Sequence, residues 1–364
     1  MKVTLAEVFA QHWPSYFRAY CDRMPESHYK AAEAIMKCRT GEAGTVYYRC
    51  EDCGRMETRP VSCGHRACNA CGQHKSMEWE AQQKARLLPV PYHMVTFTIP
   101  SEFRELFRSN QKLCYALFFQ ESAGALSDLA ADPKHLGGAI GMTGMLQTWT
   151  RDLRYHPHIH YLVPGGALTA TGWVRPKYPD VLVPVRPLAV RMRNRFRAVL
   201  KAADFRLYLT IPTKAWRKPW NVDARCVGSG ATAFGYLARY TQKTALDAAR
   251  LLNVSDTGVT FRWTDRKSDE TRTETLSGEE FLRRFLQHVL PRGFTRVRHF
   301  GFLSPAAKAR YVRVRGMLRA AAVPVVKAEP WVVPCPCCGK PLTLVGIRRR
   351  GESQLRPVAV SDTS

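Results

Sequence analysis

His158-Ile159-His160 and the pair Tyr236 and Tyr240 are the residues whose type and spacing could do chemistry. Residues two apart on a strand share a face, so both imidazoles can meet one divalent ion while Ile159 packs behind them. Tyr236-Leu-Ala-Arg-Tyr240 places two phenols about one helical turn apart. A phenol that attacks a phosphodiester holds one strand end covalently and releases the other as a hydroxyl, keeping the bond energy for a later rejoining step. Two phenols could hold two ends in succession. Each spacing alone also suits a bland role, the polar face of a strand or core packing on a helix. Together they need one another: the scissile phosphate must be polarised, and a Mg²⁺ or Mn²⁺ ion on His158 and His160 could do that as a Lewis acid. Such an ion needs a third ligand. Gln242, just past Tyr240, is the first candidate because it would tie nucleophile to metal, with His156 as competitor and Gln147 third. Lys243 could neutralise the leaving oxygen.

The elements that must position these groups are legible in outline. Pro89 to Pro100 contains a strand rich in β-branched and aromatic residues between prolines, and Gly137 to Met145 reads as a buried strand. The two-histidine strand follows. Helical patterns fill 101–130 and 187–203, and Gly228-Ser-Gly turns into the tyrosine helix. Val259 to Trp263 and Arg272 to Leu276 suggest a hairpin, after which Ser277-Gly-Glu-Glu opens another helix. Amphipathic helix is expected over 1–37, and the tail from 344 to 364 reads as basic, then polar and disordered. Strands alternating with helices indicate an α+β protein.

Cys50-Glu-Asp-Cys53 and Cys68-Asn-Ala-Cys71 are two Cys-x-x-Cys knuckles separated by 14 residues. Tetrahedral Zn²⁺ needs four soft ligands, and each knuckle offers two thiolates from one tight turn, so Cys50, Cys53, Cys68 and Cys71 are expected to hold a structural zinc. Val46 to Cys50 and Met56 to Val61 then form the hairpin of a zinc ribbon. Cys38, Cys63, His65 and His74 lie near enough for a second ion or a ligand swap. Cys335-Pro-Cys-Cys338 repeats the knuckle near the other end, where it must borrow ligands, dimerise or stay without metal.

The chain has 364 residues, with 55 Lys and Arg against 30 Asp and Glu, a formal charge of +25. That balance is far from the one expected of a metabolic enzyme and points to a polyanionic partner, bound through phosphate contacts and counterion release. No apolar run reaches membrane-spanning length and no signal pattern opens the sequence, so a soluble intracellular protein with reduced cysteines is expected. Arg292, Arg296 and Arg298, interleaved with Phe294 and Phe300, could line a single-strand groove in which guanidinium holds phosphate and rings stack bases, or form only a basic helix-to-strand connection.

The order of these motifs carries a resemblance. His156-Pro-His-Ile-His160 with Val163-Pro-Gly-Gly-Ala, then Tyr236-Leu-Ala-Arg-Tyr240-Thr, then Leu290-Pro-Arg-Gly-Phe-Thr-Arg-Val-Arg-His-Phe-Gly301, all behind a cysteine-rich segment, span about residues 30–340. The chain resembles the two-tyrosine rolling-circle insertion-sequence transposases of the HUH nuclease superfamily. The resemblance implies a ferredoxin-like core with His158 and His160 as metal ligands on a central strand, and Tyr236 and Tyr240 as nucleophiles on a helix beside it. It further implies rolling-circle transposition through 5′-phosphotyrosine linkages to single-stranded, hairpin-forming element ends, in the bacterial cytoplasm at the nucleoid. The expected division is a helical and zinc-binding domain over 1–90, a catalytic domain over 91–305 and a basic segment with the last knuckle and a disordered tail over 306–364. A zinc-ribbon regulator without catalysis and a plasmid-type replication initiator are the alternatives.

Overall fold

The computed structural model describes residues 3–241, 245–265, 268–321 and 332–357, without the side chains of 73–74, 236 and 238–241. Eight strands carry the argument: β1 (Thr45–Cys50), β2 (Met56–Pro60), β3 (Tyr92–Thr98), β4 (Gly141–Trp149), β5 (Tyr155–Pro164), β6 (Asn221–Cys226), β7 (Val297–Gly301) and β8 (Leu342–Arg348). Five helices join them: α1 (Leu5–Tyr20), α2 (Gln111–Ala131), α3 (Val185–Ala203), α4 (Ala231–Thr241) and α5 (Gly278–Leu286). The chain divides into two compact units, both discontinuous. One is Met1–Met77, Gln242–Val289 and Lys327–Ser364; the other is Glu78–Thr241 and Leu290–Val326. This differs from three contiguous segments, because 242–289 and the C-terminal strand both fold with the N-terminal part.

In the first unit Thr4 and Glu7 cap α1 reciprocally, each side chain taking the other's backbone N–H. The helix buries Leu5, Val8, Phe9, Trp13 and Tyr16, and Phe9 meets Phe285 of α5 edge-on at 5.6 Å. Gly278 opens α5 where a Cβ would lie 2.1 Å from the His12 ring, so only glycine permits this approach. Strands Leu251–Ser255, Gly258–Thr264 and Thr271–Leu276 form a separate antiparallel sheet with the hairpin register Val259 to Leu276 and Trp263 to Arg272. The ribbon is a second sheet in which β1 lies between β2 and β8. Residues 344–348, expected to be disordered, are part of β8, which pairs with β1 from Thr45 opposite Arg348 to Cys50 opposite Leu342. The run Leu342-Thr-Leu-Val-Gly-Ile-Arg348 breaks its alternation at Val345 and Gly346, so long-range pairing rather than local pattern makes it a strand.

The second unit is built on a five-stranded antiparallel sheet in the order β7, β4, β5, β3, β6. It is an α+β core, and β5 is its central strand. Tyr155, Ile159, Tyr161 and Val163 point to one face and join Tyr115, Phe118, Phe119 and Leu126 of α2. From α3, Leu188, Met192, Phe196 and Leu200 recur every fourth residue and close the same core. The Tyr161 hydroxyl donates to the Phe119 carbonyl at 3.0 Å and lies 2.7 Å from Ser122 Oγ. That locks β5 against α2. Leu162, alternating to the other face, packs with Met94 of β3, Met145 of β4 and Ala233, Phe234 and Leu237 of α4. The side of β5 that carries its histidines is thus the side against which the tyrosine helix packs.

Candidate active site and metal centres

Pro157 shapes the histidine strand. A proline has no N–H for the ladder and is tolerated within sheets at bulges. Here the β4–β5 register shifts between Gln147 opposite His158 and Trp149 opposite Tyr155, so two residues of β5, His156 and Pro157, face one of β4. The His156 carbonyl turned out at this irregularity accepts from His158 Nδ1 at 2.7 Å. Beyond the bulge the register is regular: His158 sits between Gln147 and Thr98, and His160 between Met145 and Thr96.

The two rings stand 4.8 Å apart, nearly perpendicular, and both residues are buried. His160 Nδ1 is 2.8 Å from Thr96 Oγ1. His158 Nε2 lies 2.9 Å from Gln147 Oε1, with Gln147 only 3% exposed. The protonation logic is restrictive. A carbonyl can only accept, so Nδ1 of His158 carries the proton, and in a neutral ring Nε2 is then a lone pair facing an amide oxygen. Two acceptors at that distance are reconciled by a cation, by the amide presenting its NH₂, or by a doubly protonated ring that donates from both nitrogens. Adjacent ligands of an octahedral ion with bonds of about 2.1 Å are separated by about 3.0 Å, so the Gln147–His158 spacing fits a divalent ion. Securing the far nitrogen of a ligating histidine to a backbone carbonyl is also how metal sites orient their imidazoles.

Of the two described candidates for the third ligand, Gln147 turns its side-chain oxygen to His158. His156 shares the strand of His158 and His160 but its Nδ1 accepts from Arg104 Nη2 at 3.0 Å, which places the proton of a neutral ring on Nε2 and leaves no lone pair for a metal. Gln242 and Lys243 lie outside the described residues. Thr96 and Arg104, which hold His160 and His156, carry no sequence signal of their own; only strand register shows them.

Tyr236 and Tyr240 are on α4, four residues apart in one continuous helix. The helix starts from a glycine turn for a steric reason: a Cβ at Gly230, whose φ is +78°, would come 2.7 Å from the Tyr92 ring. Phe234 then meets Tyr92 and Trp79 edge-on, which seats α4 on the histidine face.

The arginine segment is placed otherwise than a base-stacking groove requires. Phe294 is buried and Phe300 packs on the same core, on the α2 side of the sheet, opposite the histidines. Arg298 lies over Phe119 at 4.7 Å and Phe294 at 5.0 Å, and burial holds its pKa below the ordinary value. Arg296 lies over Trp149 at 5.4 Å. Arg292 alone of the three is exposed to solvent. On the histidine side of β7, His299 is pushed down to about 4 by burial, with Arg86 adding to the shift, and its Nδ1 is 3.0 Å from Thr143 Oγ1.

The cysteines correct the expected pairing of knuckles. Cys68 and Cys71 do not meet Cys50 and Cys53; they group with Cys38 and Cys63, while Cys50 and Cys53 group with Cys335 and Cys338. Contiguity in sequence suggested one ion between the knuckles, but the β1–β2 hairpin carries the first knuckle to its tip, and the second lies beyond the hairpin's return strand. In the first group the sulfurs of Cys38 and Cys71, Cys63 and Cys71, and Cys68 and Cys38 are 3.6, 3.7 and 3.6 Å apart. A zinc tetrahedron with Zn–S bonds of about 2.3 Å has edges of about 3.8 Å, whereas a disulfide brings sulfurs to about 2.05 Å. The donor set therefore fits zinc. His65 turns its Nδ1 to the Ala67 N–H at 3.1 Å, within its own loop, and the side chain of His74 lies outside the described residues.

Fold and clusters together define a metal-binding α+β protein, and its relatives say which. Residues 141–310 match the family described as "Putative transposase", and residues 8–99 match a "Transposase zinc-binding domain". The protein described as "Putative transposase y4qJ" of Sinorhizobium fredii (strain NBRC 101917 / NGR234) is 35% identical over 82% of this chain and 80% of its own length. The "Transposase for insertion sequence element IS801" of Pseudomonas savastanoi pv. phaseolicola is 28% identical over 76% of this chain and 70% of its own. The chain belongs to this family of insertion-sequence transposases with a zinc-binding domain. No solved structure matches it. Among the described residues no helix is long and apolar enough to cross a membrane.

Proposed function

We propose that this transposase nicks and rejoins single-stranded DNA at the ends of its element by a two-tyrosine, HUH-type reaction in rolling-circle transposition. The observation that carries the reading is the placement of His158, with Nδ1 on the His156 carbonyl and Nε2 2.9 Å from Gln147 Oε1, beside His160 on the face against which the tyrosine helix packs. His158, His160 and Gln147 would hold Mg²⁺ or Mn²⁺, with Gln242 the alternative third ligand. Such an ion supplies Lewis-acid polarisation of the scissile phosphate.

The chain's own groups do the rest. Attack by the phenolic oxygen of Tyr236 or Tyr240 forms a bond to phosphorus and breaks the bond to the 3′ oxygen. The products are a 5′-phosphotyrosine and a 3′-hydroxyl, and the phenol's proton is matched by the one gained by the leaving oxygen. The second phenol can take a second strand end before the first is rejoined. The bulge at His156-Pro157 fixes the His158 tautomer, and Thr96 holds His160, so neither ring has to reorganise when DNA arrives. The +25 charge supplies phosphate affinity for single-stranded and hairpin ends.

The test is incubation of the protein and Mn²⁺ with labelled single-stranded oligonucleotides from the element's termini. A denaturation-resistant protein–DNA adduct is expected, lost in the Tyr236→Phe/Tyr240→Phe variant. Binding without any adduct would sink the reading in favour of a non-catalytic regulator.

A further inference from the structure

The zinc-binding domain matched by the family ends at residue 99. Cys335 and Cys338 lie far beyond it, yet they stand against the first knuckle of that domain. The sulfurs of Cys50 and Cys338 are 3.5 Å apart and those of Cys53 and Cys335 are 3.7 Å apart, with all four within 4.8 Å of one another. Those are the edges of a zinc–thiolate tetrahedron, about 3.8 Å, and not of disulfides.

The two knuckles are built alike. Each reads Cys-x-x-Cys-Gly, and each ends on a glycine in the left-handed region, Gly54 at φ +72° and Gly339 at φ +74°. In each, the glycine N–H donates to the first cysteine's carbonyl at 2.9 Å. In each, the first cysteine's N–H donates to the carbonyl five residues on, Cys50 to Arg55 at 2.9 Å and Cys335 to Lys340 at 2.7 Å. The Cys337 N–H also points at Cys335 Sγ, at 3.4 Å. Two copies of one turn, facing each other with four sulfurs at tetrahedral spacing, form a complete four-thiolate site.

Among the described residues the apolar packing around them is small. The apolar cluster beneath the β1–β8 pair consists of Cys50, Val333, Cys335 and Leu342, with Tyr48 against it. Minimal cores of this kind depend on a staple such as a metal.

We propose that Cys50, Cys53, Cys335 and Cys338 bind a second structural Zn²⁺ that fastens the C-terminal hairpin to the N-terminal ribbon, so that one zinc ribbon is assembled from segments some 280 residues apart in sequence. The ion closes the first unit of the fold as a clasp between its N-terminal and C-terminal segments. With Cys53 and Cys338 exposed, this second site is also the one open to chelators and oxidants from solvent, while Cys38 and Cys68 of the first are buried. The proposal rests on the sulfur geometry alone and is independent of how the protein cleaves DNA.

Native mass spectrometry of the full-length protein purified without chelator should show two zinc ions per chain, falling to one in Cys335→Ser/Cys338→Ser. The wild-type protein gives a second readout that does not depend on the variant folding. Cys338 and Cys337 are neighbours and both exposed, but only Cys338 is in the cluster. A metal-bound thiolate is withheld from alkylation, so Cys338 should label at least roughly ten-fold more slowly than Cys337 and Cys21 until a chelator is added, when the difference disappears. One zinc per chain in the wild type, two retained in the double variant, or Cys338 labelling as fast as Cys337 before chelation would each overturn the second site.

Discussion

Gln147→Leu separates the two glutamines that compete as third ligand of the proposed divalent ion. Leucine keeps much of the side chain's bulk and removes its polar atoms. Gln147 is 3% exposed, its Oε1 faces His158 Nε2 at 2.9 Å, and its Nε2 is buried with no hydrogen-bond partner among the described residues. In the metal-free protein the substitution removes one unsatisfied amide nitrogen but also takes the Gln147 contact away from the buried His158 Nε2, so stability should fall by about 1–3 kcal/mol. Metal binding is different. An oxygen that interacts with a charged group contributes about 1.5–3 kcal/mol, which corresponds to a loss of roughly 10–150-fold in Kd. Titration of the DNA-free protein with Mn²⁺, followed by electron paramagnetic resonance, reads that loss directly, and thermal unfolding without metal reads the stability. Gln147→Glu, which puts a carboxylate at the same position, should bind Mn²⁺ more tightly than the wild type. Wild-type Mn²⁺ affinity in Gln147→Leu, together with its loss in Gln242→Leu, would refute the assignment and move the third ligand to the end of the tyrosine helix.

Three further substitutions probe what positions the site and what binds DNA. Gly144 of β4 lies under Tyr161, and a Cβ there would be 2.5 Å from the ring, which its hydroxyl contacts hold in place. Gly144→Ala should cost about 1–3 kcal/mol by overpacking, seen as a lower denaturation midpoint, and an unchanged midpoint would show that β5 can shift at no cost. Arg298→Ala should lower the melting temperature, since its guanidinium covers Phe119 and Phe294 with about 0.5–2 kcal/mol of cation–π attraction, and should leave the salt dependence of single-strand binding unchanged. Arg292→Ala should do the reverse, reducing the salt slope by about 1 if it holds one phosphate; a stability loss at Arg292 with no change in slope would assign it to packing.

The α+β class, the central histidine strand and the helical register of Tyr236 and Tyr240 were legible because each depends on local periodicity. Ile159 between two histidines has to face a core if they face anything else, and it does. The arginine segment stayed ambiguous in the sequence because interleaved arginine and phenylalanine look the same whether the rings stack on bases or, as Phe294 and Phe300 do, belong to the core. The strand Leu342–Arg348 was missed because its order comes from β1, some 300 residues away.

The metal centres show why the remainder could not be read. Each consists of a local half and a distant half. His158 and His160, Cys50 and Cys53, Cys68 and Cys71, and Cys335 and Cys338 are pairs whose spacing alone presents two ligand atoms side by side. What stands beside each pair is supplied by fold topology: Gln147 by the β4–β5 register, Cys38 just past the helix Glu26–Met36 and Cys63 in the loop after β2, and the C-terminal knuckle by the pairing of β8 with β1. Two adjacent knuckles are the natural choice when only sequence distance is known, yet a hairpin separates the turn at its tip from whatever follows its return strand. Cys50 and Cys53 sit at such a tip, and the segment that reaches them is the one that pairs with the outer edge of β1. The same reasoning favours Gln147 over Gln242: a residue directly opposite His158 in a buried ladder is held by the β4–β5 pairing, which is what an ion needs if its ligands are to be in place before it binds.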